Sequence, residues 1–366
     1  MDILSKRVYI YSMKRVTYIS KFSPGISDDD IQAIKSASDK NNQQYNITGV
    51  LLVFNGMFYQ VIEGDSSAID LTIRRIKRDP RHQDMYILQT EKGVERQYNQ
   101  WELRNIGQET EEEPLFQPIR NLLDSLANTH HVLEKFAPQP ILQGLQEGQN
   151  PLEWKFKKSE KVVLFFDLVA STTFTEVLSL NEMAELLEFF YGIANNKIFL
   201  TGGTISKLTG DGLMAYYSAE EADMALAAAV EIMKDLYFFR EHNADNVKRF
   251  VYAGCGISAG PVIKGNIGSI EKMDYTLLGD VVNSAARLES ITRKTGQTII
   301  FDHRFKSMLS DMFTDVKRIG YYRPKGKSQQ LQIYSVDDEM LKFGLDPAEI
   351  KKLILAENAK PAVLTA

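Results

Sequence analysis

The stretch Thr48-Gly-Val-Leu-Leu-Val-Phe54-Asn55-Gly56-Met57-Phe-Tyr-Gln60-Val-Ile62 decides how the first half of this 366-residue chain folds. Two apolar runs, 48–54 and 57–62, flank Asn55-Gly56, a dipeptide that readily takes the positive φ values of a two-residue hairpin turn. Upstream, residues 15–19 are a β-rich run. Ser27 followed by Asp28, Asp29 and Asp30 opens a helix, because acidic side chains suit the free N–H groups of a first turn. Downstream, a second helix starts near Ser66 and must stop before Pro80. Strands around 85–89 and 103–106 complete a β-α-β-β-α-β order, which predicts an α/β sandwich of ferredoxin-like type. The period of two over 57–62 puts Phe58, Gln60 and Ile62 on one face, and Tyr18 shares a face with Val16. A glutamine on a core face needs hydrogen-bond partners, so either Tyr18 and Gln60 pair beside a ligand or the backbone satisfies both.

An acidic run at 109–113 and Pro114 mark a domain edge. Beyond it Leu115, Ile119, Leu122, Leu126, Thr129, Leu133 and Phe136 recur at spacings of four and three. That seam suits pairing with a second copy as a coiled coil, against the alternative of one amphipathic helix lying on its own domain. Pro138, Pro140 and Pro151 mark the joint into a second domain, where the order repeats. A strand from Lys161 precedes a long helix from about Asn181 and hairpin strands around Gly210-Asp211-Gly212. A helix over 220–241, further strands, a helix over 281–294 and final strands follow. The expected divisions are 13–108, a linker helix and connector at 114–151, 160–336, and a C-terminal tail at 337–366. The tail carries no legible chemistry, and 359–366 reads as disordered. Residues 6–11 echo 14–19 and suggest an added strand or an upstream start. The fold class is therefore mixed α/β, two ferredoxin-like sandwiches joined by a coiled-coil-forming helix.

Composition narrows the functions. Hydrophobic content of 44% and charged content of 25% are those of a globular protein, and no apolar run reaches membrane-spanning length. A net charge of −5 without a basic stripe argues against nucleic acid as the ligand. The lone cysteine, Cys255, cannot form an internal disulfide or a multi-cysteine metal site, and with no signal region this points to the cytoplasm. Asp167, inside Val162-Val-Leu-Phe-Phe-Asp-Leu-Val169, and Asp211, in Lys207-Leu-Thr-Gly-Asp-Gly212, are the carboxylates that stand out. An acid amid Phe and Leu is costly to desolvate unless a cation meets it, and two on neighbouring strand ends can share divalent metal.

The stretches Phe166-Asp167-Leu168-Val169, Lys207-Leu-Thr-Gly-Asp211 and Asp274-Tyr-Thr276-Leu-Leu-Gly-Asp-Val-Val-Asn283-Ser-Ala-Ala-Arg287-Leu-Glu resemble the class III nucleotidyl cyclases. The resemblance implies that Asp167 and Asp211 hold two Mg²⁺ (or Mn²⁺) ions. It further implies that Asn283 orients the ribose, that Arg287 meets charge on the α-phosphate, and that Lys325 in Pro324-Lys-Gly-Lys327, with Lys327 as the alternative, binds the triphosphate. In that family the site lies at a dimer interface. Base choice follows from chemistry, since Lys207 and the Thr276 hydroxyl complement the N1 acceptor and N6 donor of adenine. Guanine would turn a proton toward Lys207, so ATP is expected over GTP.

Tyr18-Ile-Ser-Lys21, Lys40-Asn-Asn42-Gln, Ile47-Thr-Gly-Val-Leu-Leu52, Phe58-Tyr-Gln60-Val-Ile-Glu-Gly64 and Asp79-Pro-Arg81-His82 resemble the BLUF domain, a flavin-binding receptor of blue light. The resemblance implies a bound FAD or FMN contacted by Tyr18, Asn42 and Gln60, with Arg81 and His82 as further contacts. It also implies electron and proton transfer from Tyr18 and rearrangement of the Gln60 amide, passed on through Trp101 and its neighbour. Where the family often has Trp-x-Met, this chain has Trp101-Glu102-Leu103, keeping bulk and losing the sulfur. As a whole the chain is similar to bacterial photoactivated adenylyl cyclases. The expected function is a blue-light-activated homodimer that converts ATP to 3′,5′-cyclic AMP and pyrophosphate. Its dimer contacts would be the 115–136 helix and the cyclase domain. The alternatives are a light-dependent partner-binding protein with a degenerate cyclase domain, and a guanylyl cyclase.

Overall fold

The computed structural model describes residues 13–54, 56–106, 116–243, 247–269, 272–323 and 330–358. The 6–11 echo, Asn55, the 109–113 run, Leu115, Lys325 and 359–366 lie outside them. The chain divides into two units, 1–153 and 154–366.

The first unit runs β1 (Met13–Phe22), α1 (Asp28–Gln44), β2 (Thr48–Phe54), β3 (Met57–Asp65), α2 (Ser66–Arg78), β4 (His82–Lys92) and β5 (Trp101–Ile106). It continues into α3 (Phe116–Phe136) and α4 (Gln139–Gln146). The sheet order is β4-β1-β3-β2-β5, the expected ferredoxin-like arrangement with β5 added parallel to β2. The hairpin forms as its sequence predicts, Phe54 pairing with Met57. At α1 the Ser27 Oγ accepts from the Asp30 N–H while the Asp30 carboxylate accepts from the Ser27 N–H, a capping box that fixes where the helix begins.

Period two gives this sheet two working faces. Val16, Tyr18, Leu51, Phe58 and Ile62 pack under α1 and α2. On the other face Ile19, Met57 and Tyr86 receive Leu123 and Ala127 of α3, and the Tyr86 hydroxyl lies 2.8 Å from His131 Nδ1. The helix thus lies on its own sheet, but through a stripe other than the predicted seam. Leu122, Leu126 and Phe136 of that seam are left exposed.

The second unit runs β6 (Lys157–Leu168), α5 (Ser171–Val177), α6 (Leu180–Leu200), β7 (Thr204–Leu208), β8 (Gly212–Ser218), α7 (Ala222–His242), β9 (Ala253–Gly268) and β10 (Met273–Leu278). Then come α8 (Asp280–Thr295), β11 (Ile299–Asp302), α9 (His303–Lys306), β12 (Val316–Tyr322), β13 (Leu331–Val336) and α10 (Pro347–Asn358). Its sheet order, β12-β13-β11-β9-β6-β8-β7 with β10 on β9, contains the same four-strand core, β9-β6-β8-β7.

Two features depart from expectation. The short helix α5 follows Ala170, whose φ of 58° turns the chain sharply. The segment expected to be a tail is partly core, since Phe343, Ile350 and Ile354 join the main apolar cluster of this unit. A few apolar residues in a short helix are too weak a pattern to read from sequence. Ile350 is fully buried, so Ile350→Ala should cost about 2–4 kcal/mol in urea unfolding of the full chain.

Candidate functional site

Asp167 is the penultimate residue of β6, in register between Gly212 of β8 and Gly254 of β9. Close approach explains both glycines, of the paired strand at Gly212 and of helix α8 at Gly254. A Cβ at Gly212 would lie 2.9 Å from Asp167 Oδ1, and one at Gly254 would lie 2.6 Å from Glu289 Oε1 and 2.4 Å from Thr292 Oγ1. Asp211 sits on the adjoining turn, whose carbonyls are tied down. The Leu168 N–H donates to Asp211 O at 3.3 Å, and the Tyr191 hydroxyl donates to Gly210 O. Burial and then the nearby Asp211 charge raise the Asp167 carboxyl above the usual range, with Arg293 opposing them.

Two neighbouring acids, each disfavouring the other's charge, fit a divalent cation. Among the described residues no three His, Cys, Asp or Glu side chains cluster as a metal cage. Mg²⁺ needs none, because it characteristically takes one or two carboxylates and leaves its other positions to water and substrate phosphates.

Helix α8 presents two faces to different tasks. Arg293 donates to Asp167 Oδ2 at 2.6 Å and to Glu289 Oε1 at 2.8 Å. Burial raises Glu289 to about 7 against the pull of Arg293. Asn283 is exposed and Arg287 half-buried, and neither side chain has a partner among the described residues. With 100° per residue, Arg287 lies well around the helix from Arg293, the residue of α8 that meets Asp167. Strands β7 and β10 meet through Ser206 and Thr276, whose hydroxyls are 3.5 Å apart, and Lys207 beside them is exposed. The sequence reading missed Glu289, Arg293 and Tyr191. The i,i+4 spacing of Glu289 and Arg293 was a visible signal for their own pair, whereas their bond to Asp167 spans 126 residues.

In the first unit Tyr18 and Gln60 are directly opposite in register, and the Tyr18 hydroxyl donates to Gln60 Oε1. Burial, then the Asp79 charge, raises the Tyr18 phenol far above its ordinary value, so it stays protonated. Both residues line a cleft of about 190 Å³ between α1 and α2, walled by Ile34, Leu51 and Ile76. Asn42 also lines it, with 4% exposure and no side-chain partner among the described residues. The Gln60 amide nitrogen is likewise left to the cleft. Apolar walls with unsatisfied amides at the edge fit the polar rim of a planar ring such as flavin.

Arg81 and His82 line the same cleft, though each is already engaged. Arg81 makes a two-pronged pair with Asp79 at 2.9 and 2.6 Å. His82 Nδ1 is 2.8 Å from Ser20 Oγ, and its ring lies 4.5 Å from that of Phe58. Trp101 and Leu103 pack into the core beneath α1 and α2, and the Trp101 indole N–H has no acceptor among the described residues. The segment leading into Trp101 is anchored by buried Glu63, which accepts from the Gln97 and Tyr98 N–H groups at 2.9 and 2.6 Å and from Arg15 at 2.9 Å.

Burial holds His82 down at about 4, against an ordinary 6.5, although Asp79 pulls the other way. The unfolded chain therefore takes up a proton below pH 6.5 that the folded chain refuses until about pH 4. Stability of this unit should fall on acidification across that window, by up to about 3 kcal/mol. Urea melts at pH 7 and pH 4.5 check the slope, and His82→Gln should flatten it.

Two family models match the chain. One, described as sensors of blue light using FAD (BLUF), covers residues 13–104, and the adenylate and guanylate cyclase catalytic domain covers 155–338. The photoactivated adenylate cyclase subunit beta of Euglena gracilis is 31% identical over 351 residues, 95% of this chain and 40% of its own length. Subunit alpha of the same organism is 29% identical over 303 residues, 82% of this chain and 30% of its own length. The chain thus spans less than half the length of these curated relatives. Two structures of a bacterial light-regulated adenylyl cyclase superpose with TM-scores of 0.81 and 0.82 at 35% and 34% identity. Each alignment covers 94% of this chain and 99% of the bacterial one.

Proposed function

This chain belongs to the class III adenylate and guanylate cyclase family, in the group that carries a BLUF sensor of blue light, and from that premise we propose that it makes 3′,5′-cyclic AMP and pyrophosphate from ATP under blue light, as a homodimer. The observation that carries the proposal is the division of labour on α8. Asp167 is met by Arg293 on one face of α8, while Asn283 and Arg287 sit on another face without partners among the described residues, where they can serve the metal site of a second copy.

Bound divalent metal would supply activation of the ribose 3′-hydroxyl and neutralisation of the pyrophosphate leaving group. Asp167 and Asp211 hold the metal. From the second copy, Asn283 positions the ribose by hydrogen bonding, and Arg287 offers its planar fork to the α-phosphate oxygens as charge gathers there. Lys207 donates to adenine N1 and the Thr276 hydroxyl accepts from N6, which leaves GTP the poorer fit. Lys325 is assigned to the triphosphate by its place in Pro324-Lys325-Gly326-Lys327 and lies outside the described residues.

In the sensor, bound flavin would supply light absorption and an electron acceptor, and FAD is the form named for this domain. Asn42 and Gln60 hold its polar edge, with Arg81 and His82 bounding the cleft. Tyr18 and Gln60 form the responsive pair, because turning over the Gln60 amide replaces the acceptor facing the Tyr18 hydroxyl with a donor. The change passes through Trp101 and Leu103 on β5. Leu122, Leu126, Leu133 and Phe136 of α3 would pair with the second copy and carry it to the cyclase domains.

The test is nucleotide turnover by the purified full chain with Mg-ATP or Mg-GTP, in darkness and under blue light. Cyclic AMP formation that rises with light, with little cyclic GMP, is expected. Equal rates in light and darkness would remove the sensing claim, and a preference for GTP would remove the base assignment.

A further inference from the structure

We propose that Arg293 is the resting counter-ion of the metal site: it holds Asp167 while the site is empty and so makes tight cation binding wait for the nucleotide. The inference rests on the assignment of Asp167 and Asp211 as metal ligands. Arg293 reaches Asp167 Oδ2 at 2.6 Å from the α8 side, while Asp167 Oδ1 lies on the Gly212 side, where a Cβ would come within 2.9 Å of it. The guanidinium is held from behind by Glu289 at 2.8 Å, with Leu168 O at 3.5 Å. Asp167 and Arg293 are both only about one-third exposed, so water screens the pair partially.

The charge count sets the consequence. Two adjacent carboxylates alone would be an attractive site for any divalent cation. Whatever Glu289 contributes from behind, the fixed guanidinium lowers the local negative charge by one, and an arriving cation meets a positive neighbour beside the oxygen it needs. A triphosphate restores the missing negative charge, so cation and nucleotide assemble together. Removing the Arg293 charge should then tighten nucleotide-free cation binding, the opposite of what loss of a residue that merely orients Asp167 would do.

Mn²⁺ binding to the full-length chain without nucleotide, followed by the electron paramagnetic resonance signal of free Mn²⁺, reads this directly. Arg293→Gln should lower the Mn²⁺ dissociation constant at least tenfold, and Arg293→Lys, which keeps the charge, should stay within about threefold of the parent chain. An unchanged or higher constant for Arg293→Gln overturns the proposal. Should that variant fail to fold, a tenfold tightening in Arg293→Lys overturns it equally, because charge would then not be the cause. Asp211→Ala distinguishes the underlying assignment. If it binds Mn²⁺ as the parent does, the metal site itself is elsewhere and the inference falls with it.

Discussion

Replacing Asp211 by alanine should lower the light-driven rate of cyclic AMP formation by roughly 10²–10³-fold while leaving the fold intact. The turn that carries Asp211 is held by backbone groups, through Leu168 N–H on Asp211 O and the Tyr191 hydroxyl on Gly210 O. Its side chain is half-buried at the mouth of the site, and no apolar packing depends on it. The substitution therefore removes one of two metal ligands without a cavity to collapse. Asp167 alone, already shared with Arg293, is left to neutralise a triphosphate. Initial rates at saturating Mg-ATP under blue light, with a thermal melt of the same sample, check both halves. A variant within tenfold of the parent rate would contradict the assignment and support a non-catalytic role for the second domain.

Blue light should shift the flavin band of the parent chain reversibly to the red, and Gln60→Leu should erase that shift and make light and dark rates equal. Leucine approximates the size of glutamine but neither accepts from Tyr18 nor donates into the cleft. The Tyr18 hydroxyl, on a residue 1% exposed, then loses its acceptor at a cost of about 1–3 kcal/mol. Tyr18→Phe approaches the same bond from the other side and should also abolish the response, with a smaller loss of stability because no buried donor is stranded. Absorption spectra before and after blue light, with turnover in both conditions, distinguish the two. A full red shift in Gln60→Leu would show that the amide is not the responsive group.

Local chemistry was the legible part of this chain. Asn55-Gly56, the Ser27 cap and the period of two in β3 needed only neighbours in sequence to be understood, and they led to the sheet that sets Tyr18 opposite Gln60. Asp167 and Asp211 stood out because a carboxylate among apolar residues is costly wherever it folds. What escaped was tertiary in origin. The heptad spacing marks the exposed stripe of α3 but not Leu123 and Ala127, which dock it on its own sheet through residues on β1, β3 and β4. Helix α10 joins the core with Ile350 and Ile354, a signal indistinguishable in sequence from a few scattered apolar residues. Helix α5, rich in β-branched threonine, has weak helical propensity and is fixed by the turn at Ala170. Arg293 and Glu63 act through partners more than thirty residues away, beyond the reach of any pattern of spacing.

The most direct measurement mixes two inactive variants, Asp211→Ala and Arg287→Ala, co-expressed as full chains. Random pairing makes half the dimers mixed, and each mixed dimer carries one site with both lesions and one with neither. The mixture should therefore recover about a quarter of the parent activity while each variant alone stays at background. A mixture no more active than its components would show that the metal carboxylates and the Asn283–Arg287 face do not meet across two copies.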